Sequence, residues 1–200
     1  MGGHKTGQTA QSGKSSPSGT PQSARPEVTP SSDRMVIIGI GNPDRQDDGV
    51  AWHILRGLAG RLGSTVFETL DGDLCQVEPS PVLVCMLQLV PEMAEPLSCF
   101  GRVCFVDAHT GAYAEEMRFA ELQPDYQGSP FTHHLTPQSC LALAATLHGR
   151  APQAVVCSVR GYEFGFAHSL SERTSALADR AIDRICAWME HASPPAEPTG

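Results

Sequence analysis

Apolar residues fall along this chain in two rhythms. Short unbroken runs recur as Met35-Val36-Ile37-Ile38, Val82-Leu83-Val84-Cys85-Met86-Leu87, Val103-Cys104-Phe105-Val106 and Ala154-Val155-Val156-Cys157-Ser158-Val159. Runs this short, rich in β-branched residues and bounded by glycine, proline or charge, predict strands buried on both faces. Between them, apolar residues return at helical spacing. Val50, Ala51, Ile54, Leu55, Leu58 and Leu62 form one stripe; Leu141, Ala144, Ala145 and Leu147 form a second; Leu177, Ala181, Ile185 and Trp188 or Met189 form a third.

Start and stop signals agree with this division. Pro91 opens a short helix reaching about Cys99, with Met93, Ala94 and Leu97 on one side. Thr136 as N-cap and Pro137 at the first helical position start the second long helix, which Gly149 closes. Ser171 caps the last helix. Residues 64–70 read as a further strand followed by a turn at Asp71-Gly72-Asp73, and residues 117–122 alternate as an edge strand. Residues 123–131, with Pro124 and Pro130, are a loop long enough to be a binding surface. Strand and helix alternate with few hairpin signals. The expected fold is therefore three-layer α/β, a mainly parallel twisted sheet with helices on both faces. It occupies residues 34–192 as a single domain, between a disordered tail at 1–33 and a frayed end at 193–200.

Charge and cysteines narrow the classes of function. Of the formal charge of −8, residues 1–34 contribute +2, from Lys5, Lys14, Arg25 and Arg34 against Glu27 and Asp33. The rest of the chain therefore carries −10 and no lysine. An acidic domain without a basic stripe does not suit nucleic acid, and no apolar run reaches membrane-spanning length. The seven cysteines form no Cys-x-x-Cys pair, which argues against a zinc ribbon or thioredoxin-type motif. Their odd number, without a signal-peptide pattern, predicts a cytoplasmic protein whose thiols serve as small core residues.

The chemistry concentrates in one strand-to-helix turn, Gly39-Ile40-Gly41-Asn42-Pro43-Asp44-Arg45-Gln46-Asp47-Asp48-Gly49-Val50. Its first two glycines match a dinucleotide fingerprint, but Asp44 stands at the third glycine position and no Gly-Lys-Ser/Thr follows. Three carboxylates at a helix start repel phosphate and attract a metal ion or a positive group. Asp47 reads as an N-cap; Asp48 fits a cap and a ligand equally. Asp107, beyond the strand at 102–106, and His133, just before a helix, join Asp48 on the predicted carboxyl edge of the sheet, where crevices form. Two carboxylates and a neutral imidazole make a three-ligand site for a divalent metal with positions left open. Taken singly, Asp107 also suits a turn cap, and either His133 or His134 suits an exposed loop. His53, His109 and His148 read as helix-surface or loop residues.

Ile38-Gly39-Ile40-Gly41-Asn42 with Asp47-Asp48-Gly49-Val50, then Phe105-Val106-Asp107-Ala108, then His133-His134-Leu135, resembles the hydrogenase maturation proteases in order and spacing. Leu89-Val-Pro-Glu-Met-Ala-Glu-Pro-Leu97 and Ser158-Val-Arg-Gly-Tyr-Glu-Phe-Gly165 resemble segments of one branch of that family. The resemblance implies a phosphorylase/hydrolase-like sheet sandwich. It also implies a cytoplasmic endopeptidase, aspartic-type or metal-dependent, that clips a C-terminal peptide from the large-subunit precursor of a nickel-iron hydrogenase after nickel insertion. Asp48, Asp107 and His133 fall on the family's metal-contacting positions, with His134 as an alternative ligand. Nickel would arrive with the precursor, and no tightly bound organic cofactor, nucleic acid or membrane is expected of what would be a monomer. The chain departs from the family at Asp71-Gly72-Asp73, where Asp-Gly-Gly is usual, at Ala51 in place of glycine, and at His134 in place of Gln or Glu. Two rival readings are a non-cleaving assembly chaperone for the same precursor and a peptidyl-tRNA hydrolase-like enzyme. The latter shares the Ile-Gly-Ile-Gly-Asn-Pro opening but lacks the Thr-Arg-His-Asn that should follow.

Overall fold

The computed structural model describes residues 1–3, 33–68, 73–78, 80–126 and 135–191. The expected tails at 1–33 and 193–200 fall almost wholly outside the described residues, as do Asp71 and Gly72 of the expected turn. In chain order come strand β1 (Met35–Ile40), a 3-10 turn (Gln46–Gly49), helix α1 (Val50–Leu62), β2 (Val66–Phe67), a second 3-10 turn (Leu74–Gln76) and β3 (Val82–Met86). A third 3-10 turn (Pro91–Met93) leads into α2 (Ala94–Leu97), followed by β4 (Arg102–His109), β5 (Met117–Leu122), α3 (Pro137–His148), β6 (Gln153–Arg160) and α4 (Glu172–Glu190). The strands form one sheet in the order β2-β3-β1-β4-β6-β5. All neighbours pair in parallel except β5, which closes one edge antiparallel to β6. This is the α/β sandwich that the alternation of elements predicts.

Strand alternation sorts the core into two halves. Ile37, Cys104, Val106, Cys157 and Val159 face α1 and α4, where Ile54, Leu55, Leu58, Leu177, Ala181 and Ile185 meet them. Val36, Ile38, Val103 and Phe105 point the other way, against Met93, Leu97, Cys140, Leu141 and Ala144 of the α2 and α3 layer. The caps are where residue type places them. The Thr136 hydroxyl accepts from Ser139 N at 3.2 Å, the Ser171 hydroxyl accepts from Thr174 N at 3.3 Å, and Gly149 closes α3 in the left-handed conformation.

Three expectations need correction. Leu62 and Leu147, assigned to apolar faces, are 41% and 64% exposed. Each lies in the last turn of its helix. On α3, Leu141 and Ala144 of the expected stripe do make the contact, together with Cys140. β4 is longer than its apolar run and includes Asp107, Ala108 and His109. Pairing with β6 continues through Asp107↔Ser158 and His109↔Arg160, so the ladder overrides the polar side chains. Finally, Cys75 and Cys99 form a disulfide with a Cα–Cα distance of 5.6 Å. Unlike the thiols in the strands, these two sit half-buried at turn ends, where two segments come side by side.

Two buried arginines hold the amino edge of the sheet. Arg34 donates to the carbonyls of Leu74, Cys75 and Val77, fixing the turn before β3. Arg102 donates to Trp188 O at 2.6 Å, and to Met189 O and His191 O at 3.4 Å. Its guanidinium also stacks on the Trp188 ring at 4.1 Å. It thus satisfies carbonyls at the end of α4 that no helical N–H can reach. Replacing Arg102 by alanine should destabilise the fold by about 3 kcal/mol, lowering Tm by roughly 6–12 °C. Thermal denaturation followed by circular dichroism measures this, and a shift below about 2 °C would show that the end of α4 does not depend on this side chain.

Candidate functional site

Strand order places the site. The connection leaving β1 crosses through α1 to β2 and β3 on one side, whereas β4 pairs with β1 on the other. The carboxyl ends of β1 and β4 therefore lie side by side at the point where the order reverses, and connections diverging there leave a crevice. Register puts Gly39 opposite Val106, so Asp107 emerges beside the end of β1. The 3-10 turn holding Asp48 packs against β4.

The turn is made by close backbone approach. Gly41 has φ of +140°, and a Cβ there would lie 2.1 Å from the Asp48 carbonyl oxygen. Only glycine fits. Its carbonyl accepts the Trp52 indole N–H at 2.8 Å, locking the turn to α1. The Asp48 carboxylate folds back so that Oδ2 accepts Asn42 N at 3.0 Å, which fixes its orientation within the turn. Asp48 is half-buried.

Asp107 is treated differently. Burial pushes its carboxyl up to about 6, and the Ser158 hydroxyl, across the ladder on β6, works in the opposite direction. Oδ1 is out of contact with solvent and accepts no hydrogen bond among the described residues. A desolvated carboxylate oxygen without a donor is costly, and a cation or a proton donor brought by a ligand would remove that cost. The donor chemistry of this position therefore fits a metal ion.

Asp47 was expected to cap its own helix and does not. No side-chain cap bond forms at the start of the 3-10 turn or of α1. The carboxylate is wholly buried and reaches across to residues 162–174. Oδ1 accepts Ser171 N at 2.7 Å. Oδ2 accepts Tyr162 N at 2.8 Å, Glu163 N at 2.9 Å, and the Ser171 and Thr174 hydroxyls at 2.7 Å each. Burial raises its pKa, but the backbone N–H groups of Tyr162, Ser171 and Glu163 outweigh it and leave the carboxyl below its ordinary value. The only local hint of this partnership is Ser171, which caps α4 and also donates to Asp47.

His133 and His134 lie outside the described residues. Among the described residues no group of three His, Cys, Asp or Glu side chains is arranged to hold a metal ion. His109, expected on a surface or in a loop, is instead buried at the end of β4. Its Nδ1 accepts Gly111 N at 3.2 Å, and burial lowers its pKa, keeping the ring neutral. Burial pushes the thiols of Cys85, Cys140 and Cys157 up to about 12, and that of Cys104 well above its ordinary value. None of these four is a nucleophile at neutral pH.

No protein-family model matches the chain, and no curated protein matches it significantly. Solved structures do match. A [NiFe] hydrogenase maturation protease, HycI from Thermococcus kodakarensis KOD1, is 22% identical with a TM-score of 0.55, over 80% of this chain and 94% of that one. The hydrogenase maturating endopeptidase HybD from E. coli is 16% identical with a TM-score of 0.55, over 78% and 92%. The HybD protease from Thermococcus kodakarensis is 17% identical with a TM-score of 0.54, over 78% and 99%. The chain has the fold of these proteases across nearly their whole length.

Two outcomes follow from the turn. Gly41→Ala should cost on the order of 3 kcal/mol, because both φ and the Asp48 carbonyl oppose a methyl group. Asp47→Asn should cost about 3–5 kcal/mol at pH 7, since an amide nitrogen would face donors that now meet an oxygen. The folded pKa of Asp47 lies below the unfolded value, so this stabilisation is full above about pH 4 and is lost as pH falls through the folded pKa. Urea denaturation of both proteins should therefore show a gap that is widest near neutrality and narrows in acid; a gap independent of pH would contradict the assignment.

Proposed function

We propose that this chain is an endopeptidase that removes a C-terminal peptide from the large-subunit precursor of a nickel-iron hydrogenase after nickel has been inserted. The observation that carries this reading is Asp107, held at the mouth of the β1/β4 crevice with a desolvated, unpartnered oxygen. The strand that carries it packs against the turn that carries Asp48. The fold is shared with proteins named as hydrogenase maturation proteases, and the buried thiols exclude four cysteines from attack on a peptide bond.

In this reading Asp48, Asp107 and His133 contact the nickel that the precursor carries, with His134 as the neighbouring alternative donor. The metal is cargo of the substrate, so its presence in the crevice reports that insertion is complete and seats the scissile segment. Hydrolysis then needs water deprotonated as it attacks the carbonyl carbon, and a proton delivered to the departing amine. A crevice carboxylate not engaged by the metal suits both duties, because it can take the first proton and return it. Metal-polarised water is the other route to the same nucleophile.

Mass spectrometry of the large subunit co-expressed with this chain should show it shortened by one C-terminal peptide. Asp48→Ala, Asp107→Ala and His133→Ala should each slow that shortening by about a hundredfold or more. A full-length subunit with the active chain would overturn the reading in favour of a protein that binds without cutting. Wild-type rates in either aspartate variant would remove these acids from the site.

A further inference from the structure

Between β6 and α4, residues 161–170 have no regular secondary structure, yet they are tied to the first turn along most of their length. Tyr162 N and Glu163 N donate to Asp47, and Asp47 N returns a bond to Glu163 O at 3.1 Å. Gly165 N donates to Gln46 Oε1 at 2.6 Å, and Gln46 N donates to Ala167 O at 2.8 Å. His53 Nε2 meets His168 O at 3.1 Å. Gln46 itself is held at φ of +45°, a left-handed conformation that costs energy for this residue type and persists only where its surroundings fix it. A Cβ at residue 165 would meet the Gln46 side-chain oxygen at 2.7 Å, so the approach is as close as glycine permits.

What this framework carries is Phe166. Its neighbours on both sides are bonded to Gln46, which fixes the backbone, while the ring is 95% exposed. A second large apolar side chain, Leu87, is 64% exposed on the same edge. It follows Met86, whose carbonyl accepts Gly41 N at 3.1 Å. The polar turn bearing Asp48 is thus flanked by two apolar groups, each attached to it by backbone hydrogen bonds. Isolated surface apolar residues are ordinary. A phenyl ring held in water on a backbone bonded on both sides to the candidate site is not, since aromatic side chains on a pre-ordered backbone are what protein interfaces bury at low entropic cost.

We propose that Phe166 is the docking anchor for the protein substrate, its ring entering an apolar cleft on the folded body of the precursor while the scissile segment lies against Asp48 and Asp107. The occupant is argued from continuity: Gln46 bonds the backbone on both sides of Phe166 and sits two residues before Asp48, so a partner seated on the ring lies next to the turn that carries Asp48. This inference rests on the proposed peptidase activity.

The test uses the purified full-length chain and nickel-loaded large-subunit precursor, with cleavage followed by mass spectrometry across precursor concentrations. Phe166→Ala should raise KM about tenfold or more with kcat unchanged, and Phe166→Leu should recover most of the loss. Both variants should melt with the wild type, since the ring makes no contact that folding needs. Wild-type cleavage with an unchanged KM in Phe166→Ala would overturn the docking role and leave the activity standing. A fall in kcat at unchanged KM would overturn it as well. Failure of the wild-type chain to shorten the precursor would overturn the activity and the docking role with it.

Discussion

Taking a carboxylate wholly out of water costs several kcal/mol unless donors surround it. Asp47 meets that condition with three backbone N–H groups and two hydroxyls, all drawn from residues 162–174. This one group joins the first strand-helix connection to the last. It fixes where the chain leaves β6, where α4 begins, and how the turn carrying Asp48 sits over the sheet. Remove the charge and two segments more than a hundred residues apart lose their common reference point.

The rest of the site inherits its rigidity from this link and from the sheet. Asp48 is aimed by Asn42 N on a turn that Gly41 alone permits. Asp107 belongs to a paired strand, so its position is set by the ladder to Ser158 and not by a loop. Sites mounted on strands and pinned turns hold their geometry better than sites on free loops. The amino edge contributes nothing to chemistry, yet Arg34 and Arg102 brace it by satisfying the carbonyls of the 74–77 segment and of α4.

Much of this was legible in the chain. The apolar runs gave four of the parallel strands, the capping residues Thr136, Ser171 and Gly149 gave helix ends, and the spacing of Asp48 and Asp107 after two runs put them on one edge. What was not legible depends on partners distant in sequence. An aspartate before a helix reads as a cap because that is its commonest local use, and nothing near Asp47 reveals that its donors lie more than a hundred residues away. Polar residues at the end of β4 read as a loop, because pairing with β6 is a tertiary fact that overrides composition. Leu62 and Leu147 continue a helical stripe perfectly well, but a stripe does not say which of its members the fold covers.

The two neighbouring treatments of the same residue type separate structure from function. Asp47 is buried and fully supplied with donors, so its carboxyl lies low and its charge serves the fold. Asp107 is also desolvated, but among the described residues the Ser158 hydroxyl is its sole counterweight, and its carboxyl rises to about 6. A fold that can gather five donors around one carboxylate and leaves another nearly bare at a crevice mouth is bearing a cost that folding does not require. Such costs are carried where a ligand repays them, which is why perturbed acids gather at functional sites. That asymmetry assigns Asp47 to the scaffold and, more than the resemblance of short motifs, supports the proposal that Asp107 serves the substrate.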